Sequence, residues 1–248
     1  MTLFIEINDL KKAKNFLRLK YDLRTNDEQS SLKYHHLLDC LNILKYYGVY
    51  NYIKYGQAVL LHDIGRFFES DLDASNFNHA YYGYELIKKE YTKNPIILLP
   101  IKYHEDDLKW KLLLLDDPEY ISCSKRKKKQ IIKCSKLVRD IDIISNMKSL
   151  IGTKSVDVNI KKINMHICDK LRNGEIGTKD DIYNQYDKIS YILCGLNLLT
   201  YKKSFCYIKK HMIVEQLINK QLNMVSNNNQ LYDYTNSMHE YIKKKYGV

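Results

Sequence analysis

The stretch Leu60-Leu61-His62-Asp63-Ile64-Gly65-Arg66-Phe67 decides how this chain is read. An apolar run ends in two adjacent side chains that can both bind a metal, and a glycine follows. Upstream, residues from about Tyr52 to Leu61 have helical periodicity, and the helix stops near Gly65. Neighbouring ligands fit one ion if the helix bends or ends beneath them. A His and an Asp together favour a divalent ion of borderline hardness, and such an ion makes hydroxide from water at neutral pH.

The flanking sequence reads as helices. Leu10, Ala13, Phe16 and Leu17 mark a first amphipathic helix. A polar loop, residues 24–31, offers several caps to a second, which carries Leu32, His36, Cys40, Ile43, Leu44 and Tyr47 and ends near Gly48. A fourth holds His79, Tyr82, Gly83, Leu86 and Ile87. Asn94-Pro95 reads as a cap with proline in the first helical position, opening a helix that reaches His104. Another runs from about Ile131 to Leu150. Residues from about Ser155 onward read as three or four more, interrupted by the polar loop Ser226-Asn227-Asn228-Asn229-Gln230. With 9 Gly and 3 Pro in 248 residues, there is little turn chemistry for a sheet. The expected fold is all-α, one domain over 1–248, with a core at about 24–150 and a C-terminal extension at about 155–248.

Hydrophobic residues make up 45% of the chain, enough for a buried core and too many for a disordered one. The 22 tyrosines read as compositional bias. The net charge of +11 attracts anions, but most of it is scattered lysine. The densest run, Lys125-Arg126-Lys127-Lys128-Lys129, reads as a solvated face, since no aromatic-rich strand pattern accompanies it. Six irregularly spaced cysteines without a C-x-x-C pair read as reduced thiols, several of them buried. The first residues lack a signal-peptide pattern and the longest apolar runs are too short to cross a bilayer. A cytoplasmic protein without membrane partners is expected.

Other candidate ligands flank the central pair. His35 and His36 point about 100° apart on a helix; His36 shares the apolar stripe, so it is the inward one. His79 precedes small residues, Ala80 and Gly83, that permit close helix packing. His104 precedes Glu105, a candidate for orienting a ligand from outside the metal's own shell. Asp140 and Asp142 flank Ile141 at similar angles, and periodicity does not choose between them. A carboxylate amid so much apolar sequence needs a partner or a cation.

In order and context these segments resemble the HD-domain metal-dependent phosphohydrolase superfamily, with its H…HD…D signature. Lys33-Tyr34-His35-His36 resembles a K-x-x-H start. Leu60–Phe67 resembles LLHDIGRF, residues 79–86 resemble HAEYGVEIL, and Ile101–His104 resembles I-K/R-Y-H. Leu137–Asp142 resembles IIRDADKLD, whose second aspartate is the ligand, which selects Asp142. The resemblance implies one site of His36, His62, Asp63 and Asp142, and a second of Asp63, His79 and His104, together holding one or two divalent ions (Mn, Mg, Ni, Co, Fe or Zn). It implies hydrolysis of a phosphate ester, of a nucleotide or another small phosphorylated metabolite, by a metal-bound hydroxide. Asp63 and Arg66 would be catalytic, and Arg66, Lys102 and Arg139 would contact the substrate. Ile143 and Ser145 depart from the pattern, which has Lys and a third acid there. The same six ligands also resemble HD-fold diiron oxygenases, and the charge with the altered late motif leaves open a non-catalytic module for a nucleotide or nucleic acid.

Overall fold

The structure, a computed structural model, describes residues 2–24, 28–71, 77–105, 109–153, 160 and 162–248. The described residues are helical, with no strand among them, and the all-α expectation holds. The expected caps Thr25, Asn26 and Asp27, the residues Asp106 and Asp107 after Glu105, and Ser155 lie outside the described residues.

Packing divides the chain into two units, Met1–Ile141 and Asp142–Val248. In the first unit α1 spans Thr2–Asp22, α2 Glu28–Tyr46, α3 Val49–Leu61, α4 His79–Glu90, α5 Pro95–Lys102, α6 Trp110–Asp116 and α7 Pro118–Ile121, while α8, Lys125–Gly152, runs across the division. Between α3 and α4 the chain tightens into a 3₁₀ segment, Ile64–Asp71. α3 packs against α1, α2 and α5, and α4 packs against α5 and the 3₁₀ segment. The shared core is aliphatic, with Leu37, Ile43 and Leu44 of α2, Leu60 and Leu61 of α3, Ile87 of α4 and Leu98 and Leu99 of α5 all shielded from water. Burying such side chains contributes roughly 1.5–3 kcal/mol each.

The caps explain the local boundaries. The Asn94 side chain accepts a hydrogen bond from the Ile96 amide and Pro95 takes the first turn, so α5 starts where the sequence places it. The Asn78 side chain accepts from the Tyr81 amide and opens α4 at His79. The helix expected from about Ile131 begins earlier, at Lys125, so the basic run forms the first turns of α8 and is mostly exposed.

In the second unit α9 spans Met165–Asn173, α10 Gln185–Cys194, α11 Lys202–Lys210, α12 Ile213–Met224 and α13 Asn229–Tyr246. Three or four helices were expected after residue 155; the described residues there hold five α-helices. The added boundary is at Met212, whose backbone is left-handed (φ 50°) and splits α11 from α12 without a glycine or proline to announce it. Asn229 and Gln230, expected in a loop, form the first turn of α13, because the Asn228 side chain caps it by accepting from the Leu231 amide. The core of this unit holds a polar chain. Gln221 Nε2 donates to Ser190 Oγ (2.8 Å) and to the Tyr186 carbonyl (3.0 Å), and Gln221 Oε1 lies 3.2 Å from His239 Nε2.

Candidate metal centre

The centre starts at the end of α3. His62 closes that helix, and its Nδ1 donates to the Val59 carbonyl (2.8 Å), one of the helix's orphan acceptors. The chain then tightens into the 3₁₀ segment, which lets the next residue, Asp63, turn inward as well. Both are buried. Gly65 fixes what packs on this turn. A Cβ there would stand 2.1 Å from the His79 carbonyl oxygen, and Gly83 of α4 faces Gly65 in turn. Only glycine allows this approach, which sets His79 beside the His-Asp pair. The close packing expected around Ala80 and Gly83 is present at Gly83.

His104 arrives from the end of α5 by the same device as His62. Its Nδ1 donates to the Ile101 carbonyl (2.7 Å). Arg139 Nη1 donates to the His104 carbonyl (2.8 Å).

Asp63 is the hub. Its Oδ1 lies 3.0 Å from His79 Nε2, 3.1 Å from His104 Nε2 and 3.3 Å from Arg66 Nε; its Oδ2 lies 3.4 Å from Lys33 Nζ and 4.0 Å from His36 Nε2. The two imidazole Nε2 atoms are 3.3 Å apart. Burial alone would push the Asp63 carboxyl up; hydrogen bonds from His104 and His79, with the charges of His62 and Lys33, outweigh it and hold the group well below the usual carboxylate range.

The tautomers give this arrangement its meaning. The Nδ1 atoms of His62 and His104 donate to carbonyls, and His79 Nδ1 lies 3.1 Å from Glu105 Oε2. With Nδ1 donating to its anchor, each ring presents Nε2 on the opposite side, as a lone pair when neutral and as a second N–H donor when protonated. For His79 and His104 Nε2 faces a carboxylate oxygen. Three acceptors at 3.0–3.3 Å repel unless a proton or a cation lies among them. Ligands about 2.1 Å from one ion at right angles stand about 3.0 Å apart, so the triangle suits a divalent metal. The donor atoms of His62, Asp63 and His104 lie within 4.8 Å of one another, as do those of His36, Cys40 and His62. The carbonyl and carboxylate anchors are the outer partners that ligand histidines commonly have.

The remaining sequence candidates divide by their contacts. Of the two neighbours, His35 is exposed, whereas the His36 side chain is 9% exposed. Leu32, expected on the same buried stripe, is exposed. Arg66 joins Asp63, Glu69 (3.2 Å) and Glu105 (3.7 Å); burial would lower its pKa, but these three carboxylates raise it. Glu105 thus stands where an orienting carboxylate was expected. Lys102, expected at the substrate, donates to Asp117 Oδ2 (2.7 Å), which also accepts from Tyr103 Oη (2.6 Å). Arg139, also expected at the substrate, is buried against the His104 backbone and lies over the Trp110 ring. On α8, Asp140 is fully buried, whereas Asp142 is half-buried and accepts from Asn146 Nδ2 (3.0 Å). Ile143, where the family pattern has Lys, packs against Gly195 within the second unit: a Cβ added to Gly195 would stand 2.9 Å from Ile143 Cγ2.

Sequence reasoning passed over two residues here. Lys33 figured only in a motif, and Cys40 only as core. Both share a face of α2 with His36, at spacings of three and four residues, and that spacing was the available signal.

The helical chain gathers imidazoles about a buried His-Asp pair, an arrangement able to hold a metal ion. The HD-domain family model matches residues 34–147. That match supports an HD domain in this segment, and proteins of the HD-domain superfamily are generally metal-dependent phosphohydrolases. No curated protein and no solved structure matched the chain. Among the described residues no helix is long and apolar enough to cross a membrane.

Proposed function

We propose that this chain is a metal-dependent phosphohydrolase that cleaves a phosphate ester, of a nucleotide or another small phosphorylated metabolite, by attack of a metal-bound hydroxide. One observation carries the reading: Asp63 Oδ1 meets the Nε2 atoms of two histidines at 3.0 and 3.1 Å while both rings are anchored through Nδ1. A carboxylate shared between histidine sets suits an ion that lowers the pKa of bound water and neutralises phosphate oxygens. His36, His62 and Asp63 are proposed for one ion, and Asp63, His79 and His104 for a second. Asp142 is proposed as the remaining ligand on the strength of the family motif. Arg66 and Lys33, flanking the two oxygens of Asp63, are the cations proposed to meet the substrate's phosphate. Six free thiols fit a reducing compartment such as the cytoplasm.

The test is metal analysis of the purified protein, then a phosphate-release screen over nucleotides and small phosphate esters with several divalent ions. Release that depends on added metal and disappears in His62→Ala/Asp63→Ala is expected. Equal release by the double variant contradicts the proposal. Four histidines in one neighbourhood also suit iron, which keeps an oxygenase as the second reading. Oxygen uptake by the iron-loaded protein, with no phosphate release under any metal, would favour it.

A further inference from the structure

We propose that Cys40 is a metal ligand, placing a thiolate in the site of His36 and His62 and tuning it toward a soft divalent ion such as Co²⁺, Zn²⁺ or Fe²⁺ rather than Mg²⁺. This rests on the metal-centre reading above and adds to it a donor and a selectivity.

Three observations converge. Cys40 follows His36 by one helical turn on α2, the spacing at which two side chains on one face can share an ion. Its Sγ lies 3.6 Å from His36 Nε2. A tetrahedral ion bound at about 2.3 Å by sulfur and about 2.05 Å by nitrogen holds those atoms about 3.6 Å apart. The donor atoms of His36, Cys40 and His62 all lie within 4.8 Å of one another, and the His36 and His62 rings are 5.6 Å apart between centroids. The other buried thiols have different surroundings: Cys134 has its thiol pushed up by burial, Cys168 Sγ lies 3.9 Å from Ser190 Oγ, and Cys194 Sγ lies 3.8 Å from the Ile167 carbonyl.

Sulfur is a soft donor. It favours cobalt, zinc and ferrous iron, whereas magnesium prefers oxygen and dehydrates reluctantly. On binding, the Sγ–H bond is exchanged for an Sγ–metal bond and the proton passes to the buffer, so metal uptake must release a proton. Cys40 is fully buried, which shields the bound thiolate from competing oxidants and chelators.

Cobalt is the probe, because thiolate ligation gives a near-ultraviolet sulfur-to-cobalt charge-transfer band that imidazole and carboxylate do not. Full-length protein stripped of metal and titrated with Co²⁺ is expected to show that band together with visible ligand-field bands. In Cys40→Ala the charge-transfer band should be lost while the ligand-field bands remain, and in Cys206→Ser both should remain. Ligand-field bands without charge transfer in the wild type, or a charge-transfer band that survives in Cys40→Ala, overturn the Cys40 proposal while leaving the metal centre standing. No cobalt uptake at all overturns the metal reading itself. Should Cys40→Ala fail to fold, X-ray absorption on the cobalt-loaded wild type decides without mutation: a sulfur scatterer at about 2.3 Å supports the proposal, and a shell of nitrogen and oxygen alone overturns it.

Discussion

His79 is held from both sides, its Nε2 3.0 Å from Asp63 Oδ1 and its Nδ1 3.1 Å from Glu105 Oε2. The second contact orients the ring toward whatever cation occupies the first. Glu105→Gln keeps a hydrogen-bond acceptor but removes the charge. Affinity for the second divalent ion is expected to fall about 10–100-fold, read by calorimetric titration, with the first ion's affinity little changed. Unchanged affinity for both ions would remove Glu105 from the centre.

Gly65 is where a single methyl group should do most harm. Its Cβ would meet the His79 carbonyl at 2.1 Å, and that contact is with backbone that has nowhere to swing. Gly65→Ala is expected to cost roughly 1–3 kcal/mol of stability, measured by denaturant unfolding. Because the displaced element carries His79, metal affinity should fall in the fraction that remains folded. A variant with wild-type stability and metal binding would contradict the packing described.

Lys33 and Lys102 make a contrasting pair. Lys33 Nζ lies 3.4 Å from Asp63 Oδ2, whereas Lys102 is committed to the buried carboxylate of Asp117. Removing Lys102 strands part of that carboxylate's hydrogen bonding. Lys102→Met should therefore lower stability by about 1–3 kcal/mol and leave kcat/KM of the folded protein nearly intact. Lys33→Met should do the reverse, raising KM for a phosphate ester with little change in melting. Equal effects on kcat/KM would return Lys102 to the substrate.

The buried His239 gives the second unit an acid sensitivity. Burial, with the nearby Lys243 charge, lowers its pKa to about 3, so the folded state prefers the neutral ring. Between pH 6.5 and about 3 the unfolded chain binds the proton and the folded one does not, so stability is lost as pH falls through that window. The loss should amount to a few kcal/mol by pH 4. His239→Gln should flatten the curve between pH 6.5 and 4, followed by thermal melting across pH. An unchanged slope would mean the acid sensitivity lies elsewhere.

The centre was readable from the sequence where local chemistry constrains it. An adjacent His-Asp pair ending an apolar helix, with a glycine behind it, has few structural explanations, and the Asn94-Pro95 cap announces the helix that delivers His104. Periodicity separated His36 from His35. It did not separate roles that depend on three-dimensional neighbours. Lys102 and Arg139 look alike in sequence as cations near a motif, yet one is paired with Asp117 and the other donates to the His104 backbone. Cys40 looked like core because a thiol on an apolar stripe usually is. The break at Met212 left no trace because its left-handed backbone is not marked by glycine.

The most direct test is calorimetric titration of the metal-free protein with Mn²⁺ and Co²⁺, compared with Asp63→Asn under the same conditions. Saturable binding of one or two ions per chain, abolished or severely weakened in Asp63→Asn while its fold is retained, is the predicted result. Metal binding by Asp63→Asn with wild-type affinity and stoichiometry would contradict the account.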